Sequence, residues 1–424
     1  MQMNETPGLL NRLKVFIGQN FLEPYCCFFS RVYLRRWRPT VIVITGSVGK
    51  TNLLYLLKEQ FGSEAAYSYR ANTKTGITFS VLGLPAAAER WRWPLLIAAV
   101  PFAAFFKRVR EEKFYLVEYD VSETAAARYF KWWLNPAICL WTTVSESHLQ
   151  AFDRAARKQG REPFELVVED FAKVVRAASE RIFAPGSSRL MRNSLKGTDA
   201  PISWSDGELL SYEVGPKGTV FKFPGREFVF SQPLPRQLAD SLALMTDLLK
   251  HCGREVKTDC RDWPAPPGRS TLLAGYKGCW LIDSSYNAQL EAVAAVLEMF
   301  KEFSAAKKWL VIGDMTEQGS FVERAHRDLA ELIIDFKPDR LFLVGRRLKQ
   351  YACPLLEKRY PDLHWSPRAD AALIKLLKDS VTGEEAILFK GAGFLDILVE
   401  ALLKNQADAA LLNNPGRLRR VLRP

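Results

Sequence analysis

The chain has 424 residues, of which 48% are hydrophobic and 25% charged, a folded globular composition that excludes a disordered chain. This length predicts about two or three domains, and the net charge of +12 favours acidic substrates, nucleic acid or an anionic membrane as partners. The seven cysteines contain no C-x-x-C pair and there are only four histidines, so neither a zinc site nor a disulfide framework is indicated. We therefore expect a reducing, cytoplasmic environment.

The first segment, residues 1–39, mixes aromatic, aliphatic and arginine residues, as in "NFLEPYCCFFSRVYLRRWRP". It begins with the polar stretch "MQMNETPGLL", which does not have the pattern of a signal peptide. Such a basic amphipathic segment is typical of a helix that lies on a membrane surface, and ordinary helix packing explains it equally well. Peripheral contact with an anionic membrane therefore remains one of two interpretations.

The longest apolar run, "WPLLIAAVPFAAFF", covers residues 93–106. A membrane-spanning helix needs about 20 apolar residues, and this run is shorter and contains Pro94 and Pro101. It predicts either a buried helix or an interfacial segment.

The stretch "VIVITGSVGKTNLLYLLKEQF", which begins at Val41, predicts a strand, a glycine loop and an amphipathic helix. In this order the backbone N–H groups of the loop and of the first helical turn converge on one small space, where the helix dipole adds positive potential. Such a site suits a polyphosphate and a Mg²⁺ ion. The alternative is a plain glycine turn with an exposed lysine. The predicted nucleotide-binding residues of the loop are Gly46, Ser47, Val48, Gly49, Lys50 and Thr51.

Further strands alternate with helices, as in "FYLVEYD" and "PAICLWTTV", which predicts an α/β fold with a doubly wound, mostly parallel sheet. Short strands between Phe183 and Gln232 predict a small antiparallel patch on the same domain. The proline-rich "RDWPAPPGRS" then marks a boundary, and four buried-type strands beyond it predict a second, Rossmann-like α/β domain. The predicted organisation is a basic segment (1–39), an ATP-binding domain (40–266) and a C-terminal domain (267–424).

These landmarks, in this order, resemble the Mur ligase family, and most closely its D-alanyl-D-alanine-adding branch. The segments that carry the resemblance are "TGSVGKT", "LVEYDVS", "VSESHLQAFD", "GRS", "IDSSYNA", "IGDMTEQGSFVERAH" and "LFKGAG". Outside the glycine loop, the resemblance implies functional roles for Glu118, His148, Arg269, Asp283, Tyr286 and Asn287.

The resemblance implies an ATP-dependent ligase that joins a carboxylate to an amine through an acyl phosphate, in peptidoglycan precursor or related cell-envelope metabolism. Lys50 would hold the terminal phosphates, Thr51 one Mg²⁺, and Glu118 with His148 a second, so Lys50, Glu118 and His148 are the expected catalytic residues. The residues of the C-terminal domain would contact the nucleotide. The expected partners are small-molecule carboxylate and amine substrates, and no nucleic acid.

The sequence departs from the family pattern at several positions. Residues 1–39 are too few for a uridine-binding domain, so we expect that domain to be missing. Val175 stands where the family has a carbamylated lysine, and Lys173 is out of phase on the same predicted helix. Gln237 and Ser241 replace a histidine and an asparagine. "KGAG" at Lys390 lacks the serine and arginine that would bind a substrate carboxylate.

Other interpretations stay open at this point. The protein could be a degenerate relative that binds ATP and partners without ligating, which Val175 and "KGAG" favour. An unrelated P-loop kinase or NTPase, or a ligase of the folylpolyglutamate synthase or lipid-II-amidating type, is a further alternative. At the level of single residues, Glu118 could be an ordinary strand-end acid and His148 a packed histidine. His326 is expected to be structural.

Overall fold

The computed structural model describes residues 18–68, 71–85, 92–121, 127, 129–145, 149–205, 207–316, 318–392 and 394–418. Three sheets organise these residues, and helices connect most of their strands. All seven cysteines are free thiols.

The first sheet has six parallel strands in the order β2-β3-β1-β4-β5-β6. The central strand β1 is the predicted "TVIVIT" segment, and its Val, Ile and Thr side chains are almost all buried, as expected for a parallel sheet covered on both faces. The chain winds to one side of β1 and then to the other, so the loop that follows β1 lies at the switch point of the sheet. The strands are β1 (Thr40–Thr45), β2 (Ala65–Tyr67), β3 (Phe114–Glu118), β4 (Ile138–Trp141), β5 (Arg181–Pro185) and β6 (Ile202–Ser205).

The second sheet has the order β10-β9-β8-β7; its strands β7, β8 and β9 form the predicted antiparallel patch, and the short edge strand β10 pairs with β9 in parallel. Its centre is the "GTVFKFPGREFVF" hairpin, in which β8 pairs with β9 in antiparallel register. The segment "PISWS", predicted for this patch, instead forms the edge strand β6 of the parallel sheet by pairing with β5. The strands are β7 (Ser211–Gly215), β8 (Gly218–Phe223), β9 (Arg226–Phe230) and β10 (Asp259–Cys260).

The third sheet has the order β11-β12-β16-β13-β14-β15, with only the edge strand β11 antiparallel. The four predicted C-terminal strands are all present, and β16 enters between β12 and β13, which places a second switch point at its carboxyl end. Buried apolar residues cover both faces of this sheet. The strands are β11 (Thr271–Ala274), β12 (Trp280–Ser284), β13 (Lys307–Gly313), β14 (Arg340–Val344), β15 (His364–Ser366) and β16 (Glu385–Lys390).

The helices of the described residues are numbered in chain order. They are α1 (Glu23–Trp37), α2 (Lys50–Phe61), α3 (Lys74–Val81), α4 (Trp93–Phe106), α5 (Phe130–Leu134), α6 (Leu149–Gln159), α7 (Pro163–Val175), α8 (Arg189–Ser194), α9 (Leu238–His251), α10 (Leu290–Glu302), α11 (Val322–Phe336), α12 (Cys353–Leu356), α13 (Ala371–Ser380) and α14 (Asp396–Leu402). None of these helices combines the length and the apolar character that crossing a membrane requires.

The chain divides into two compact units, and the division differs from the predicted domains. The first unit consists of residues 1–144 and 165–205, and the second of residues 145–164 and 206–424. The antiparallel sheet therefore belongs to the second unit, where the Tyr212 hydroxyl donates to the carbonyl of Leu234 and the Gln232 side chain accepts from the amide of Leu272. The boundary predicted at residues 266 and 267 stays a prediction about domain organisation.

Candidate active site

The glycine loop between β1 and α2 has a conformation that requires glycine at two positions. Gly46 has φ +135°, and a Cβ atom there would lie 2.2 Å from the hydroxyl of Thr142. Gly49, with φ 89°, precedes α2 in the left-handed conformation. Gly49 is the N-cap residue of α2, so the cap position itself supplies no side-chain acceptor to the first turn, which fits an anion-binding site.

The loop is held by the residues that follow β4. The Thr142 hydroxyl donates to the carbonyl of Val48 at 2.6 Å. The amide of Ser47 donates to the carbonyl of Thr143 at 2.9 Å, and the amide of Val48 to the Thr143 hydroxyl at 3.0 Å. Both threonines were missed by the sequence analysis, although their position directly after a buried strand next to β1 was a usable signal.

The ammonium group of Lys50 is buried over the loop. It donates to the carbonyls of Gly46 at 2.5 Å and Ser47 at 3.3 Å, and it lies 3.1 Å from Asp120 Oδ1. The side chains of Lys50 and Asp120 are only 9% and 12% exposed. The lysine is therefore not the exposed residue that a plain glycine turn would present.

Asp120 was not predicted as a site residue, although its position contained a signal. It lies two residues beyond Glu118, and alternate residues of an extended segment point to the same side. The sequence "EYD" therefore indicated that Asp120 would lie on the same side of the chain as Glu118. The structure shows that this second acid is the partner of Lys50.

The hydroxyl oxygen of Thr51 lies next to the carboxylate oxygens of Glu118. The Thr51 hydroxyl donates to both carboxylate oxygens of Glu118, at 2.8 and 2.9 Å, and the amide of Glu118 donates to the Ser68 hydroxyl at 2.8 Å. A hydroxyl and a carboxylate are the hard oxygen donors that Mg²⁺ prefers, so this pair fits the predicted ion. Among the described residues, no group of three or more His, Cys, Asp or Glu side chains could hold a metal. The third predicted ligand, His148, lies outside the described residues.

Val175 and Lys173, both on α7, have opposite environments. Val175 is fully buried. Lys173 is half exposed, and its ammonium group pairs with Glu169 at 2.9 Å and Asp170 at 3.1 Å. Lys173 is therefore engaged in ion pairs with an exposed and a buried carboxylate of its own helix, which does not support it as a substitute for the lysine that the family pattern expects.

In the second unit, the "IDSSYNA" and "LFKGAG" motifs meet at the carboxyl ends of β12 and β16. Asp283 is in register with Phe389 and Ser284 with Lys390. The Lys390 ammonium donates to the carbonyl of Asn287 at 2.7 Å. One oxygen of Asp283 accepts from the amide and hydroxyl of Ser285, at 3.0 and 2.6 Å. Two motifs that are far apart in the sequence therefore form one site.

Arg269 and Tyr286 stack at the edge of this site. The Arg269 guanidinium carbon lies 4.0 Å from the centre of the Tyr286 ring, and the amide of Tyr286 donates to the carbonyl of Gly268 at 3.1 Å. Gly268 has φ +70°, and a Cβ atom there would lie 3.0 Å from the Tyr286 nitrogen. The "GRS" and "SYN" segments are thus fixed to each other, with half of the Tyr286 side chain exposed.

Buried charges surround Lys390. Burial, followed by the nearby Arg269 guanidinium, lowers the pKa of Lys390 to about 7. Burial also raises the pKa of Asp283, and the neighbouring Asp396 raises it further. The second carboxylate oxygen of Asp283 and both oxygens of Asp396 are buried and accept no hydrogen bond from the described residues. Asp396 was missed by the sequence analysis, since nothing local links it to Asp283.

His326 is a structural residue, as expected. Its Nδ1 lies 2.7 Å from the carbonyl of Val322, and its Nε2 accepts from the amide of Met315 at 3.2 Å. The ring is fully buried, and this burial lowers the pKa of His326. A neutral ring that donates through Nδ1 and accepts through Nε2 fits both contacts.

The described parts of the predicted site therefore form two groups, one in each compact unit. The first contains the glycine loop, Lys50, Thr51 and Glu118, and the second contains Arg269, Asp283, Tyr286 and Asn287.

Comparison with known proteins agrees with these motifs. Residues 268–393 match the family described as "Mur ligase, glutamate ligase domain". The UDP-N-acetylmuramoyl-tripeptide–D-alanyl-D-alanine ligase of Bacillus subtilis (strain 168) is 23% identical over 396 residues, which are 90% of this chain and 79% of that protein.

Solved structures show the same fold. MurF ligase from Thermotoga maritima, in complex with ADP, has a TM-score of 0.70 at 18% identity, covering 88% of this chain and 81% of that one. MurF from Acinetobacter baumannii has a TM-score of 0.68 at 16% identity, covering 90% and 80%.

A parallel sheet with a phosphate-type loop is followed by a matched Mur ligase domain, and the chain is similar over most of its length to Mur ligases, the class of ATP-dependent, amide-forming ligases. The resemblance stated from the motifs is thereby confirmed. The relatives named above are a UDP-N-acetylmuramoyl-tripeptide–D-alanyl-D-alanine ligase and two MurF proteins, which is the branch that the motifs indicated.

Proposed function

We propose that the protein joins a small-molecule carboxylate to an amine, through an acyl phosphate, in peptidoglycan precursor or related cell-envelope metabolism. The observation that carries this proposal is the loop site, where Lys50, Thr51 and Glu118 converge at the switch point of a parallel sheet. Because the relative from Bacillus subtilis is named for a muramoyl tripeptide and D-alanyl-D-alanine, a peptide carboxylate and a dipeptide amine are the first substrates to test.

In this proposal the residues of the first unit bind and position the reacting groups. Lys50 would neutralise the terminal phosphates from its place over the loop, and the first-turn amides of α2 would donate to their oxygens. Thr51 and Glu118, with His148, would hold Mg²⁺. Bound ATP with Mg²⁺ would supply the phosphoryl group that makes the carboxylate electrophilic.

In the second unit, Arg269 and Tyr286 present a cation and an aromatic face side by side, which suits a nucleobase or ribose. Asp283 and Asn287 are the further nucleotide contacts of the proposal. We place the reaction in the cytoplasm, where ATP is available.

The deciding experiment is Mg²⁺-dependent ADP formation with muropeptide carboxylates and amino acid or dipeptide amines. The wild type should form ADP only when carboxylate and amine are both present. Glu118→Gln should reduce this rate at least about 100-fold, because it removes an anionic ligand and a transition-state contact. Glu162→Gln changes an exposed carboxylate in the same way and should have no effect.

The same measurement contains the outcome that would contradict the proposal. Equal background rates in the wild type and in Glu118→Gln, with all substrate pairs, would favour the alternative of a relative that binds ATP without ligating.

A further inference from the structure

Helix α4 is apolar on all sides, yet much of it is exposed. Its sequence, "WPLLIAAVPFAAFF", contains no charged residue, and Val100, Ala103 and Ala104 are its buried positions. Leu95, Phe102, Phe105 and Phe106 are 70%, 69%, 51% and 73% exposed. These four recur at intervals of seven, three and one residues, so they lie along one side of the helix. A soluble protein normally covers such a side.

Helix α1 lies against α4 and extends the exposed surface. Phe21, in the turn before α1, is 64% exposed and Phe28 is 49% exposed. The ring centres of Phe28 and Phe29 are 5.1 Å apart in an edge-to-face contact, and those of Phe29 and Phe105 are 6.0 Å apart. We call Phe21, Phe28, Leu95, Phe102, Phe105 and Phe106 the α1–α4 apolar surface.

Polar contacts fix α4 in this position. Pro101 has no N–H, so the carbonyl of Ile97, four residues earlier, loses its helical donor. The Tyr25 hydroxyl of α1 donates to that carbonyl at 3.0 Å. At the carboxyl end of α4, Arg36 donates to the carbonyls of Ala104 at 2.6 Å and Lys107 at 3.2 Å. Side chains of α1 thus donate to backbone carbonyls of α4 that lack a helical donor, so the outer side of α4 needs no polar side chain for this purpose.

Positive charge is concentrated at one end of this surface. The last turn of α1 and the residue after it carry Arg35, Arg36 and Arg38, and Arg35 and Arg38 are exposed. The Tyr33 hydroxyl donates to the carbonyl of Arg108 at 2.9 Å, which brings the exposed Arg108 to the same end. Arg108 also pairs with Glu111, but both side chains are at least 80% exposed, and such pairs contribute little.

We propose that the α1–α4 apolar surface inserts into the interfacial region of an anionic lipid bilayer, with Arg35, Arg38 and Arg108 facing the lipid phosphates. A helix of 14 residues is about 21 Å long, which is shorter than the roughly 30 Å hydrocarbon core and suits a helix lying in the plane of the interface. The combination of an apolar surface and a cationic end is complementary to anionic lipid. This inference does not depend on the proposed ligase activity.

The test is flotation of the full chain with vesicles of phosphatidylcholine alone or with 30% phosphatidylglycerol added. At low salt the wild type should partition at least about tenfold more to the anionic vesicles, and high salt should remove this preference. Phe102→Ser with Phe106→Ser should reduce partitioning at least about tenfold. Arg35→Gln with Arg38→Gln should reduce it by roughly fivefold per charge. Leu210→Ser, at another exposed apolar residue, is the matched control and should change nothing.

Three results would overturn the proposal. The first is failure of the wild type to float with anionic vesicles at low salt. The second is equal partitioning to neutral and anionic vesicles. The third is unchanged flotation of the double phenylalanine variant. If Phe102→Ser with Phe106→Ser instead converts a dimer to a monomer in sedimentation, without any lipid binding by the wild type, the surface belongs to a second copy of the chain. A melting curve confirms that each variant is folded.

Discussion

The ammonium group of Lys50 lies 3.1 Å from the carboxylate of Asp120. The lysine of the glycine loop therefore has a carboxylate counter-ion, and its hydrogen bonds go to the loop carbonyls of Gly46 and Ser47. Any phosphate that approaches Lys50 must compete with this carboxylate. Asp120 thus lowers the affinity of the loop for anions, compared with a loop whose lysine has no carboxylate beside it.

The first prediction concerns this competition. In Mg²⁺-free buffer, Asp120→Asn should bind ATP about three- to tenfold more tightly than the wild type. The substitution releases Lys50 from its ion pair and removes a negative charge from the phosphate's surroundings, and a partly buried pair of this kind contributes about 1 kcal/mol. Titration calorimetry in the presence of a chelator measures the affinity. Glu213→Gln, an exposed carboxylate in the second unit, is the control. Weaker ATP binding by Asp120→Asn would show that the carboxylate assists nucleotide binding.

The second prediction concerns Lys50 itself. Lys50→Ala should abolish the rise in melting temperature that ATP produces in the wild type, because it removes the full positive charge at the loop. Lys58→Ala is the matched control, since Lys58 is an exposed lysine in the last turn of the same helix α2. ATP should stabilise that variant as it does the wild type. An undiminished ATP effect in Lys50→Ala would contradict the phosphate-loop assignment.

The third prediction concerns Val175. Val175→Lys should lower the free energy of unfolding by about 3–5 kcal/mol, because it places an ammonium group at a fully buried apolar position. The reciprocal change, Lys173→Val on the same helix, removes a half-exposed ammonium group and its ion pairs with Glu169 and the buried Asp170, and it should cost less because no charge is added to the core. Thermal melting of both variants tests the contrast. Similar melting temperatures for the two would mean that a lysine is accommodated at position 175, as the family pattern requires.

The fourth prediction concerns pH. An unfolded Lys390 has its ordinary pKa of 10.5, and folding lowers the pKa to about 7. Between these values the unfolded chain binds more protons, so stability rises with pH, by at most about 1.4 kcal/mol per pH unit. Below pH 7 both states are protonated, and the cost of the buried charge is fully present. Lys390→Met should therefore stabilise the protein most at pH 6 and progressively less toward pH 10.

Melting curves of both proteins from pH 6 to pH 10 provide the test. Arg269 and Asp283 face Lys390 and are unchanged in the variant, so the difference between the two curves isolates the lysine. A difference in melting temperature that is constant across this range would contradict the lowered pKa.

Much of the fold was readable from local sequence. The strand, loop and helix around Lys50 and the four C-terminal strands appear where the hydrophobic runs predicted them, because buried parallel strands consist of continuous apolar residues. The segment "PISWS" was assigned to the wrong sheet because a four-residue strand does not encode its partner. Its pairing with β5 is set by tertiary packing. The short strands β2 and β15, three residues each, carry too little pattern to be recognised.

The candidate site was predictable in part. The motifs gave the positions of Lys50, Thr51 and Glu118, and alternation along the extended chain would also have given Asp120. Asp396 could not have been found, because its position near Asp283 depends on the packing of α14 against β12. The same holds for the antiparallel sheet, whose place in the second unit results from long-range contacts such as that between Gln232 and Leu272.

Helix α6 is bound to a segment that is synthesised much later. Asp153 of α6 accepts hydrogen bonds from the amide and hydroxyl of Ser320, 167 residues further along the chain. At ribosomal speeds, that distance corresponds to on the order of ten to thirty seconds of translation. Leu149, Phe152 and Ala156, which are buried in the folded protein, lie on one side of α6 and must wait for this partner. During synthesis, α6 is thus an amphipathic helix whose apolar side is open to a nascent-chain chaperone until the segment around Ser320 has been made.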